Sequence, residues 1–174
     1  MKVKFFITIF TLGIMCTVYF VFFSSSNSYS ERLCNQIEKV DSECSDIYLV
    51  DSNSNIVFYK NESKLMFAQT NDDLTEIKTI SGSLSLKWMF DSDEPLLWST
   101  IGGFQDGYSM IWGFASDVVK SIVITSENSI QPNKIKINDE LWLWYQTINR
   151  DQINMPVTIN AFDGEGNKIY GKNP

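Results

Sequence analysis

Hydrophobic positions divide the chain into three regimes. From Phe5 to Phe23, nineteen residues pass without a charge, with Lys2 and Lys4 before them and Ser24, Ser25, Ser26 and Asn27 after. Roughly 20 apolar helical residues cross a bilayer core, and a lysine-bearing leader stays on the cytoplasmic side. Residues 1–26 therefore predict a single-pass anchor with its N-terminus cytoplasmic and the remainder extracytoplasmic. The run exceeds the roughly 7 to 15 apolar residues of a signal core, which favours a retained anchor over a cleaved signal, although Ser24 to Ser26 offer small residues to a peptidase. Cys16 follows Ile14 and Met15, not the small residues of a lipidation site, and reads as a lipid-facing helix residue.

In the second regime Tyr29, Leu33, Ile37 and Val40 recur at steps of four, four and three, one face of an amphipathic helix within residues 27–45. Ser30 caps it and Glu31 meets the positive end of its dipole. The stripe is too short for a coiled-coil seam of several heptads and is read as a docking face.

From Asp46 onward the period becomes alternating, with turn residues every eight to twelve positions, the signature of a mainly β, sandwich-like domain of one or two modules. Strands are expected at Asp46 to Asp51 and Ile56 to Lys60, joined by Ser52 to Asn55, and at Ser63 to Gln69. The most regular alternation, Leu84, Leu86, Trp88 and Phe90 against Ser83, Ser85, Lys87 and Met89, predicts a strand with one face in the core. Asp91 to Pro95 breaks the pattern and suggests a boundary between a first β module, 46–94, and a second, 95–174. In the second, Tyr108, Met110, Trp112 and Phe114 share one face of a strand. Runs follow at Val118 to Thr125, Lys134 to Asn138, Leu141 to Gln146, Val157 to Phe162 and Lys168 to Tyr170, the last two closing a hairpin.

Charge and chemistry narrow the function classes. Lys2 and Lys4 are two of the 14 basic residues, whereas all 21 acidic ones lie beyond Phe23, leaving that part at −9. Such a balance argues against nucleic acid, whose binding rests on neutralising phosphates with Lys and Arg. There is no histidine, metal-ligand spacing, phosphate loop or nucleophile constellation, and so no reason to expect a cofactor. Cys34 and Cys44 are spaced for a disulfide across a short loop in an oxidising compartment, or remain separate thiols; a redox pair would want closer spacing and an activating neighbour.

Three constellations invite a functional reading. Asp91, Asp93 and Glu94 gather carboxylates that would suit calcium or acid–base work, but the remainder of a calcium motif is missing and a solvated loop is the simpler account. Asp163, Glu165 and Asn167 imitate the start of a calcium loop, yet its closing position falls on Pro174, so a hairpin turn is preferred. Trp142 and Trp144 alternate with Leu141, Leu143 and Tyr145. A strand buried on both faces is the parsimonious reading, and an exposed pair stacking on a sugar or a partner is the sharper one.

The segments Ile111 to Ile124, with its Trp-Gly pair and Val-Lys-x-Ile-x-Ile strand, Leu141 to Tyr145, and Ala161 to Tyr170, with Ala-Phe-Asp-Gly-x-Gly-Asn-x-Ile-Tyr, carry a resemblance. Over roughly the last 65 residues, and in its anchor, the chain resembles small membrane-anchored proteins of Bacillus and relatives. The resemblance implies an extracytoplasmic β-domain without an assigned activity and transfers no functional residue. The expected role is a binding or interaction module without catalysis, for an envelope protein, a peptide or a glycan, with Trp142 and Trp144 as the binding residues. The rivals are a carboxylate-dependent hydrolase using Asp91, Asp93 or Glu94, and a structural or regulatory partner of another membrane protein.

Overall fold

The computed structural model describes residues 29–41, 43–103, 107–148 and 153–171. The anchor segment Phe5 to Phe23 lies outside them, and among the described residues no helix is long and apolar enough to cross a membrane. The chain is mainly β, with antiparallel strands, and divides into two compact units. One comprises Met1–Glu62 and Ala68–Ile80, the other Ser63–Phe67 and Ser81–Pro174. The loop at Pro95, expected as a boundary, lies inside the second unit.

In the first unit residues 29–37 form helix α1. Leu33 and Ile37 of its apolar stripe are fully buried, while Tyr29 and Val40, at either end, are exposed. The helix stops short of Val40: Val40 and Asp41 both donate their N–H to the Ile37 carbonyl and close a turn. A disulfide joins Cys34 of α1 to Cys44. Strands β1 (Asp46–Asp51) and β2 (Ile56–Asn61) pair antiparallel from Asp46 opposite Lys60 to Asp51 opposite Ile56. The link works because Asp51 Oδ1 accepts the Asn53 and Ser54 N–H groups and Asn55 takes a left-handed φ of 53°, a conformation asparagine tolerates. Behind the hairpin, Tyr59 Oη and Asn61 Nδ2 both donate to Asp41 Oδ2, at 2.8 and 2.9 Å.

Strands β3 (Lys64–Thr70) and β4 (Ile77–Ser85) follow in a four-stranded sheet ordered β1-β2-β3-β4. Here one expectation fails. The alternation around Trp88 does not continue as a strand; helix α2 (Leu86–Asp91) begins instead, capped by Ser85 Oγ, which accepts the Trp88 N–H. Lys87 and Asp91 pair one turn apart. Trp88 and Phe90, expected in the core, are 69% and 59% exposed, and Met89, assigned to the solvent face, is buried. A serine cap, good helix formers at Leu86, Lys87 and Met89, and an i,i+4 ion pair prevail over an eight-residue alternation in which Met89 already breaks the polar face.

The second unit holds two further sheets. Strands β5 (Leu96–Ile101), β6 (Ser109–Ser116), β8 (Asn133–Lys136) and β9 (Leu141–Ile148) form a sheet ordered β5-β6-β9-β8; β7 (Ser121–Ile124), β10 (Ile159–Phe162) and β11 (Lys168–Tyr170) form one ordered β11-β10-β7. Ile111, Ala115, Trp144 and Ile148 of the first and Ile122, Ile124, Ile159 and Ala161 of the second share one buried core, an arrangement compatible with a β-sandwich. The inner strand β6 is buried on both faces: Met110, Trp112 and Phe114 on one, Ile111 and Ala115 on the other. Trp112 meets Phe67 edge-on, with centroids 5.3 Å apart. Gly82 lies beside both rings with φ at 76°, and a Cβ there would come within 2.4 Å of Phe67. Gly113 is required by a closer approach, since a Cβ would stand 1.9 Å from the Leu97 carbonyl oxygen. The glycine leaves room where Trp98 of β5 and Trp144 of β9 flank it in register.

Candidate functional site

The described residues of the second unit build a cleft of about 700 Å³. Glu94 and Trp98 contribute from the β5 side, Pro156 to Ile159 from the segment entering β10, and Lys168 to Gly171 from β11. Its size falls within the range of small-ligand sites, about 300–1,000 Å³. Trp98 Nε1–H donates to Tyr170 Oη at 3.0 Å, joining the two sides. Trp98, Val157, Ile169 and Tyr170 also pack on the common core, so the floor of the cleft is the edge of that core.

The wall from Pro156 to Ile159 is set by a buried acid. Glu127, 2% exposed, ends a 3-10 turn (Thr125–Glu127), and its carboxylate accepts the Asn154 backbone N–H at 2.7 Å and the Asn154 side-chain amide at 3.3 Å. Asn154 Nδ2 reaches the Ser126 carbonyl, and the Thr158 N–H donates to Ser126 Oγ. Thr125 N–H and its hydroxyl both donate to the Thr158 carbonyl. Between these ties lies the cis Met155–Pro156 bond. The segment is held at both ends, so Val157 and Ile159 present a fixed surface to the cleft.

Of the residues singled out from the sequence, Glu94 lines this cleft and the others do not. Trp144 is fully buried, its indole N–H donating to the Phe114 carbonyl at 3.2 Å, and it has no surface to offer a ligand. Trp142 is half-buried beneath Lys134, whose ammonium stands 4.4 Å from the ring centroid. That ammonium also donates to the Val119 carbonyl, and burial, then the neighbouring Lys120, pushes its pKa down. One face of Trp142 is thus occupied by a cation. The pair does not form a stacking platform; the reading of β9 as a strand apolar on both faces describes it better.

The carboxylates separate as well. Asp91 pairs with Lys87 on the surface of α2, Asp93 is exposed, and Glu94 is exposed at the cleft. Asp163 is occupied as a turn acceptor: its Oδ1 takes the Glu165 and Asn167 N–H groups and its Oδ2 the Asn167 side-chain amide. The Asn167 side chain, then the backbone donors, hold the Asp163 carboxyl below its ordinary range. Among the described residues no three Cys, Asp or Glu side chains come together as metal ligands would. No protein-family model, curated protein or solved structure matches the chain.

Sequence reading missed Trp98, Tyr170 and the Pro156 to Ile159 wall as a site. Leu96, Leu97 and Trp98 follow Pro95 as a continuous apolar run without alternation, so β5 went unrecognised. One usable signal was present: a six-residue strand bearing no charge, directly after a proline, which is uncommon for a sheet edge.

Proposed function

We propose that this chain is a membrane-anchored, extracytoplasmic, β-sandwich-like binding module, held to the membrane by Phe5 to Phe23 with its N-terminus in the cytoplasm. The cleft between Trp98 and Tyr170 carries the binding part of the reading. It combines an apolar floor, an aromatic pair and one charge of each sign, Glu94 and Lys168, the composition of a recognition site. The Cys34–Cys44 disulfide supports export, because such bonds persist in oxidising compartments. The resemblance to membrane-anchored proteins of Bacillus and relatives points the same way. The carboxylate-dependent hydrolase reading draws less support: a glycosidase of that kind sets two carboxylates across the scissile bond, and Glu94 is the single acid among the described residues lining the cleft.

Two measurements test the proposal. Fractionation of producing cells, with mass spectrometry of the mature N-terminus, is expected to find Met1 or Lys2 in the membrane fraction; a chain starting near Asn27 in the medium overturns the anchor. For binding, the full chain in nanodiscs is screened on peptide and oligosaccharide arrays beside a Trp98→Leu variant. Ligands held by the parent and lost by the variant are expected, and a screen yielding none removes the cleft as the site.

A further inference from the structure

We infer that the cleft takes an extended polypeptide segment, which adds as a strand along the outer edge of β11. This rests on the binding-module reading and specifies its ligand. Successive side chains of a strand point to opposite faces of the sheet. In β11 that alternation is interrupted: its pairing with β10 shifts register between Ala161 and Phe162, and Ile169 and Tyr170 both pack on the core. Lys168 to Gly171 all line the cleft, which thus follows the whole length of this short strand. In its sheet β11 has β10 as its one neighbour among the described strands, and on the other side of the cleft β5 likewise has only β6.

The cleft is thus flanked by two strands that each end a sheet. Their outward-facing peptide groups recognise another main chain, and strand addition to such an edge is a general mode of peptide recognition. Sugars would find here a Trp98 ring packed on the core and tied through its N–H to Tyr170, not a free stacking face. The floor of Trp98, Val157 and Ile169 suits apolar side chains at alternate positions of the incoming strand.

The test is panning of a displayed library of random dodecapeptides against the full chain in nanodiscs, followed by hydrogen exchange with each enriched peptide bound. Enriched peptides are expected to alternate apolar and polar residues, to slow exchange of the Lys168–Tyr170 amides, and to lose affinity by about tenfold or more when alternate amides are N-methylated, the loss of roughly one hydrogen bond's free energy. Enriched peptides that tolerate N-methylation, or that leave those amides unchanged, overturn strand addition. If they map to Trp88 and Phe90 on α2, or if chitin oligosaccharides bind the cleft and peptides do not, strand addition falls while the binding-module reading stands. If neither peptides nor oligosaccharides bind, both fall.

Discussion

At the residue scale the sharpest chemistry in the first unit is the phenol of Tyr59. Its ring is fully buried and its hydroxyl donates to the Asp41 carboxylate, which Asn61 also holds. A hydrogen bond to a charged group contributes about 1.5–3 kcal/mol, and its removal leaves the acceptor short of a donor. Tyr59→Phe is therefore expected to lower the unfolding free energy by about 2 kcal/mol in denaturant titrations near neutral pH. Burial first, then the bond to Asp41 and its charge, raise the Tyr59 pKa above its ordinary value of 10.0. The folded state thus resists ionisation more than the unfolded one. Its contribution is complete below pH 10.0 and is lost as pH rises beyond it. The parent should lose stability faster than Tyr59→Phe on going from about pH 8 to about pH 11; parallel curves would show that the phenol does not carry this dependence. Tyr48, raised by burial and by Asp46, adds a slope common to both proteins.

At the element scale α2 separates what a pattern can specify from what it cannot. Leu84, Leu86, Trp88 and Phe90 satisfy the strand period, yet the helix reverses the roles of Met89 and its aromatic neighbours. A double substitution Trp88→Gln with Phe90→Gln is expected to change stability by no more than about 0.5 kcal/mol, as at exposed sites generally. Met89→Ala should cost about 2 kcal/mol or more, the loss for truncating a buried long apolar side chain. A strand at this place would give the opposite ranking in thermal or denaturant unfolding. Elsewhere the alternation was sufficient. The β1–β2 hairpin, β3 and the strands from β6 to β11 were legible within a few residues, because their turns carry Asn, Asp and Gly, and β6 and β9 are apolar on both faces. The missed strand, β5, has no alternation to read. Most of β4 escaped for a similar reason: Ile77 to Gly82 mixes half-buried apolar and small polar residues, and its Gly82 is explained only by the Phe67 and Trp112 rings beside it. The cleft was not legible at all. It depends on which strands end their sheets and on how Glu127 ties down the segment after Asn154, relations between residues distant in sequence.

At the scale of the whole molecule the cysteines connect fold to location. Cys34 and Cys44 are ten positions apart within the first unit, and closing a loop of that length restricts the unfolded chain by about 2–3 kcal/mol. The bond fastens α1, and with it the Asp41 turn, to the entry of β1. Cys16 lies in the apolar segment before them, with no expected covalent partner. Alkylation of the full chain immediately on lysis, read by mass spectrometry, should therefore modify Cys16 alone without reductant and all three cysteines after reduction and unfolding. Replacing Cys34 and Cys44 together by serine should speed hydrogen exchange across residues 29–61 more than across β6 and β9, whose protection comes from a core that does not contain the bond. If Cys34 and Cys44 alkylate without reductant, the chain has matured in a reducing compartment. The export reading then loses the disulfide as support and rests on the apolar segment and the resemblance.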